Sequence, residues 1–327
     1  MLPDTARPAC APRLLPGASS LRPRESSPLR LPAVLTRWLD TRARDLMQPP
    51  DGPGFDFTRP PGEAALIPAD SLSWCVFKNP VSLFIGGVTA VILELAEPGV
   101  RSGVWEHSSF RSDPVRRLQR TGLAAMVTVY GARSQAEAMI AGVVRAHGRV
   151  TGQTPAGQPY RANDPALLDW VQATATFGFA EAYHRYLRPL AEEEMDRLYA
   201  EALPAARLYG ATGAPRSEAE RQALFAAVAE RLEPSPIVFE FLDLMRHAPA
   251  LPAALRPFQV LLVRAAVEAT PDWVRERLGL GPELGLRRWE YPLVRHACAA
   301  ADRLLLPSAA PVRACLRLGL PADYLFR

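Results

Sequence analysis

From residue 69 to the C-terminus, apolar residues recur every three or four positions, the spacing of one helix face. Many of these runs open on a side chain that can accept from a free helix N–H, with proline next or glutamate three positions on. Asn79-Pro80 opens an apolar helix to about Ala96, Asp113-Pro114 one to about Tyr130, and Asp164-Pro165 a long one to about Leu187. Ser134 with Glu137 and Ser217 with Glu220 read as capping boxes. Further helices are predicted at 237–247, 252–268, 271–278 and 286–306. No segment alternates with period two for long enough to build a sheet. The expected fold is all-α, a single multi-helix domain of roughly ten helices without internal repeats.

Proline breaks this pattern near the N-terminus, where 13 of the 33 prolines fall in residues 1–68. Long helices are excluded there. We expect a Pro/Arg-rich, largely disordered extension at 1–68, with room for a short helix at 33–46 and a linker at 48–62, followed by the helical domain at 69–327. The net charge of +4 comes with a single lysine, Lys78, among 38 basic residues. Because arginine alternates with acidic residues along most of the chain, no basic face stands out and a nucleic-acid partner is not expected. Cys10, Cys75, Cys298 and Cys315 are too scattered for a disulfide framework. No secretory signal is apparent, and the longest apolar run, 81–93, is shorter than the ~20 residues of a spanning helix. A cytoplasmic protein without stable membrane insertion is the expectation.

One stripe stands out for chemistry: Ala136, Met139, Ile140, Val143, Val144 and His147 share a helix face, which turns His147 inward. An inward imidazole is either a hydrogen-bonded structural group or a ligand, and periodicity alone favours the first. Arg117 and Thr121, four apart on the preceding helix, form either a fixed cation with a hydroxyl or a solvated arginine beside a helix threonine. Gly86 and Gly87 inside an apolar helix each cost ~1 kcal/mol relative to alanine, which calls for close helix packing or close approach of a flat ligand. Glu181 and His184 make a single Glu-x-x-His, half of what a di-iron bundle uses. His107 beside Glu106 is either a metal or proton-transfer site or a cap, and His247 and His296 on later helices read as surface groups. Phosphate-binding loops, dinucleotide fingerprints, nucleophile elbows and zinc spacings are not found.

Several segments together resemble a known family: Asn79-Pro80 through Gly86-Gly87, Gly103-Val104-Trp105-Glu106-His107-Ser108, Asp113-Pro114 through Arg117-Leu118-Gln119-Arg120-Thr121, Thr128-Val129-Tyr130-Gly131, His147 with Val150 and Gly152, and Tyr160 through Pro165 leading to Trp170-Val171. In order and spacing they resemble the MpaB-type oxygenases, which include the catalytic domain of the latex-clearing rubber oxygenases, over residues 70–320. The resemblance implies a globin-like helical core, a b-type haem (iron) as cofactor, and dioxygen-dependent oxidation of a small hydrophobic, unsaturated or isoprenoid substrate. It puts the proximal metal ligand at His147 and the distal cofactor-binding and catalytic pair at Arg117 and Thr121. Arg120 stands where the latex enzymes carry lysine, and Glu97 and Gln172 stand where many members carry histidine. We assign proton transfer to Glu97 on this basis. The rival readings are a non-catalytic lipid or isoprenoid carrier and a non-haem iron protein using Glu181 and His184.

Overall fold

The computed structural model describes residues 27–29, 31–47, 55–249 and 255–327. The expected disorder at 1–26, most of the linker before Phe55 and the start of the helix predicted at 252 lie outside the described residues. The fold is all-α. Its helices are α1 (Ala33–Met47), α2 (Leu72–Val76), α3 (Pro80–Ala96), α4 (Pro98–His107), α5 (Pro114–Tyr130), α6 (Arg133–His147) and α7 (Pro165–Tyr186). They continue with α8 (Glu192–Tyr209), α9 (Glu218–Val228), α10 (Pro236–His247), α11 (Arg256–Ala269), α12 (Asp272–Leu278), α13 (Tyr291–Asp302) and α14 (Ala310–Arg317).

The helix starts follow their capping side chains. Asn79 Oδ1 accepts from the Val81 and Ser82 N–H groups at 3.1 Å each, while its Nδ2 donates to the Cys298 carbonyl at 2.8 Å and ties α3 to α13. Asp113, Asp164 and Ser217 cap α5, α7 and α9 in the same way. The α6 start differs from expectation. Its cap is the Glu63 carboxylate, which takes both the Ser134 N–H at 2.6 Å and the Ser134 hydroxyl at 3.0 Å. A capping group seventy residues away in sequence satisfies the same orphan donors that Ser134 and Glu137 were expected to satisfy locally.

That contact also moves the N-terminal boundary. Phe57, Ala65, Leu66 and Ile67 are buried, and Arg317 donates to the carbonyls of Phe57 and Glu63 at 2.9 Å. The segment from Phe55 onward is therefore part of the folded body, although its prolines keep it from being helical. A two-stranded antiparallel hairpin, β1 (Thr151–Gln153) and β2 (Pro159–Arg161), joins α6 to α7. With three residues per strand it leaves no alternation for the sequence to display. Its Tyr160 is buried and donates to Glu106 Oε2 at 3.2 Å.

At the centre lies α3, packed against α7, α11, α10, α13 and α4. Ile85, Ile92, Leu93 and Leu95 on it are fully buried, each contributing about 1.5–3 kcal/mol. The α3–α7 crossing explains one of the glycines: a methyl on Gly86 would lie 2.7 Å from the Gly178 carbonyl oxygen, and one on Gly178 would lie 3.0 Å from the Ala90 nitrogen. Only glycine at both positions lets the two backbones approach so closely. Trp170 Nε1 donates to the Leu93 carbonyl at 3.2 Å and Tyr186 to that of Ala265 at 2.8 Å, which satisfies the buried polar groups around the crossing. At Glu97 the chain turns by 111° from α3 into α4. Among the described residues no single helix is long and apolar enough to cross a membrane.

Candidate functional site

While α3 is packed on α7 and α11, α5 is packed on α1, α2, α6 and α14. From Ile85 to Ala96 on α3 the row Gly87, Val91 and Glu94, at spacings of four and three, keeps accessible surface while the other residues are buried. The facing row Gln172, Thr176 and Phe179 on α7 is half-buried as well. Phe179 reaches to 3.9 Å from where a methyl on Gly87 would stand. Of the two glycines expected to share one explanation, Gly86 serves helix packing and Gly87 belongs to the open row.

Glu94 was not foreseen as a site residue. Its carboxyl makes no hydrogen bond among the described residues, and burial raises its pKa from the ordinary 4.5 to about 7, with Arg117 pulling the other way. The residue is half-buried, and its low-dielectric surroundings disfavour the charged form. The sequence did carry a signal. Glu94 is an acid in the last turn of α3, between Leu93 and Leu95, both fully buried.

Arg117 and Thr121 are brought together as their spacing implied. Arg117 Nη1 donates to Thr121 Oγ1 at 2.9 Å, and the threonine hydroxyl donates to the Arg117 carbonyl at 2.9 Å. The guanidinium carbon stands 5.3 Å from the centre of the Phe110 ring, and Nε is buried with no partner among the described residues. Burial lowers the Arg117 pKa, the Glu94 carboxylate raises it and Arg120 lowers it.

His147 is the last residue of α6 and is half-buried. Neither ring nitrogen forms a hydrogen bond among the described residues, and Nδ1 is buried. Burial, and then the Arg117 charge, hold its pKa below the usual 6.5, so the ring is neutral at pH 7. Neutral imidazole is the form that ligates a metal. Arg117 thus links Glu94 on α3 to His147 on α6 through its charge.

Glu97 is elsewhere engaged. Its Oε2 accepts from the Val100 N–H at 2.8 Å as the cap of α4, and its Oε1 binds the Arg231 guanidinium. Both oxygens of this buried carboxylate are occupied, one by a helix N–H and one by a guanidinium. Gln172 Nε2 points along its own helix to Thr176 Oγ1 at 3.4 Å. The Glu181–His184 pair does not form a metal site: Glu181 is bound by Arg185 at 2.7 Å, and His184 Nδ1 accepts from the Leu190 N–H at 2.9 Å. Among the described residues no three His, Cys, Asp or Glu side chains group as metal ligands. His107 is exposed beside Tyr160, and His247 and His296 are exposed on later helices.

Residues 74–303 match the family model described as ER-bound oxygenase mpaB/B'/Rubber oxygenase, catalytic domain. The chain belongs to this oxygenase family. No curated protein and no solved structure matches it. The matched span runs from α2 to the end of α13 and contains every residue of the site, with Glu94, Arg117, Thr121 and His147 all inside it. The oxygenase is an oxidoreductase by family.

Proposed function

We propose that this oxygenase holds a b-type haem against His147 and oxidises a small hydrophobic, unsaturated substrate with dioxygen. The observation that carries the reading is the half-buried imidazole of His147, whose buried Nδ1 has no hydrogen-bond partner among the described residues, with the Arg117 charge acting on both it and the Glu94 carboxyl. A buried structural histidine would have found a partner; this one keeps its nitrogens for something else. The remaining groups fit the cofactor too. Arg117, propped by Thr121 and carrying a buried unpartnered Nε, is a fixed donor for a propionate or for negative charge developing on an oxygen. Haem iron, when bound, supplies the one-electron chemistry through which dioxygen reacts with a spin-paired substrate.

The protein's own share is positioning, water exclusion and proton handling. Val91, Gly87 and Phe179 offer apolar surface to a greasy substrate and keep water from the reacting atoms. Glu94 takes over the role first given to Glu97: a carboxyl that ionises near pH 7 can accept a proton at one oxygen and return it at working pH. Arg117 steadies the carboxylate form once the proton has gone.

Visible absorption with pyridine haemochrome quantitation on protein expressed with ample haem tests the reading. A Soret band present in the wild type and lost in His147→Ala is the expected result. Iron without porphyrin would overturn it in favour of a non-haem centre, and a colourless protein that co-purifies with lipid would make the chain a carrier.

A further inference from the structure

We propose that Asn163 is the positioning residue for His147, its amide oxygen accepting the Nδ1 proton of the imidazole so that Nε2 is left to act as a ligand. The inference rests on the haem reading only for what Nε2 then binds. Its basis is a pair of complementary orphans at one turn. His147 Nδ1 and Asn163 Oδ1 are both buried, and neither has a hydrogen-bond partner among the described residues. One can donate and the other can only accept.

The backbone brings them to the same place. Asn163 Nδ2 donates to the Val144 carbonyl in the last turn of α6 at 3.0 Å, and it stands 3.6 Å from where a methyl on Gly148, the neighbour of His147, would be. Val150 N–H donates to the His147 carbonyl at 2.9 Å and Ala162 N–H to the Val150 carbonyl at 3.0 Å, so the loop before α7 is laced to the end of α6 on both sides of the ring. As the side chains stand the two orphans are not bonded, and pairing them satisfies both buried groups at once. A ligating histidine whose other nitrogen donates to an oxygen has its tautomer fixed and its basicity raised.

The test compares Asn163→Ala with Asn163→Asp. Both lose the Nδ2 donation to Val144, but only Asp keeps an acceptor, and a stronger one. In 15N-labelled protein without haem, wild type and Asn163→Asp are expected to show His147 with its proton on Nδ1, and Asn163→Ala to lose that preference. In haem-loaded protein, Asn163→Ala is expected to weaken cofactor binding 10–100-fold. The reduction potential should rise in Asn163→Ala and fall in Asn163→Asp. A merely structural asparagine would move both variants the same way, and that result, or an unchanged tautomer in Asn163→Ala, overturns the proposal. Should the wild type bind no haem, the haem reading fails, and the tautomer measurement still decides the role of Asn163.

Discussion

Replacing Glu94 by Gln is expected to stabilise the protein, and to do so only when the carboxyl would be ionised. A carboxyl that titrates near 4.5 in the unfolded chain and about 7 in the folded one binds its proton more tightly when folded. Below pH 4.5 it is neutral in both states and costs nothing. Between 4.5 and 7 the unfolded chain sheds the proton first, so stability falls as pH rises, and above 7 the loss is constant at about 3 kcal/mol. Glutamine reproduces the neutral acid at all pH values. The variant should therefore exceed the wild type by roughly 1 kcal/mol at pH 5 and roughly 3 kcal/mol at pH 8. In a protein of this size that is roughly 4–6 °C in melting temperature at pH 8. His147 titrates with the opposite sign, its lowered pKa making stability rise with pH, but it is common to both proteins and largely cancels in the difference. Thermal unfolding of cofactor-free protein from pH 5 to 8 measures the gap directly. A gap that does not widen with pH would show that Glu94 is well solvated and would refute the reasoning.

Gly178→Ala is expected to destabilise by about 1–3 kcal/mol through the crossing with α3, whereas Gly87→Ala, whose new methyl meets nothing closer than 3.9 Å, should be neutral or slightly stabilising; urea midpoints of the two variants check the contrast. Glu97→Ala removes the cap of α4 and strands Arg231, lowering stability by about 1–2 kcal/mol while leaving any visible absorption band in place. His184→Ala should leave the iron content of the purified protein unchanged, as measured by metal analysis, because its Nδ1 already serves the Leu190 N–H.

The helices legible in the sequence were those whose caps are local. Asn79, Asp113, Asp164 and Ser217 each accept from an N–H two or three residues on, so the signal and the structure share one short window. At α6 the donors are met by Glu63, and α8, with Ala191 at its cap and Pro204 inside, offered little that resembles a start signal. The folded stretch from Phe55 is invisible for a related reason: prolines report that a segment is not helical, and say nothing of whether Arg317 will hold it down. In the site, Arg117 and Thr121 could be paired by spacing, and His147 by its stripe. Glu94 and Glu97 could not be told apart by composition. Both are acids beside the turn from α3 to α4, and what separates them is that Val100 and Arg231 take up one and nothing takes up the other.

That difference has a physical meaning for how the oxygenase is built. The frame around the site consists of groups that are satisfied: the Gly86–Gly178 crossing, Glu97 between Arg231 and Val100, Trp170 on Leu93. Glu94, Arg117 and His147 are not. Glu94 lacks a partner, Arg117 leaves Nε unpaired, and His147 leaves both nitrogens unpaired among the described residues. Each is less stable where it stands than it would be in water, and three such groups on three helices, coupled through one guanidinium, are poorly explained by folding alone. A fold selected only for stability would replace Glu94 by an apolar residue, as its neighbours Leu93 and Leu95 already are. The cost at Glu94 therefore points to chemistry, and the same substitution that raises the melting temperature at pH 8 should abolish proton transfer in the loaded enzyme.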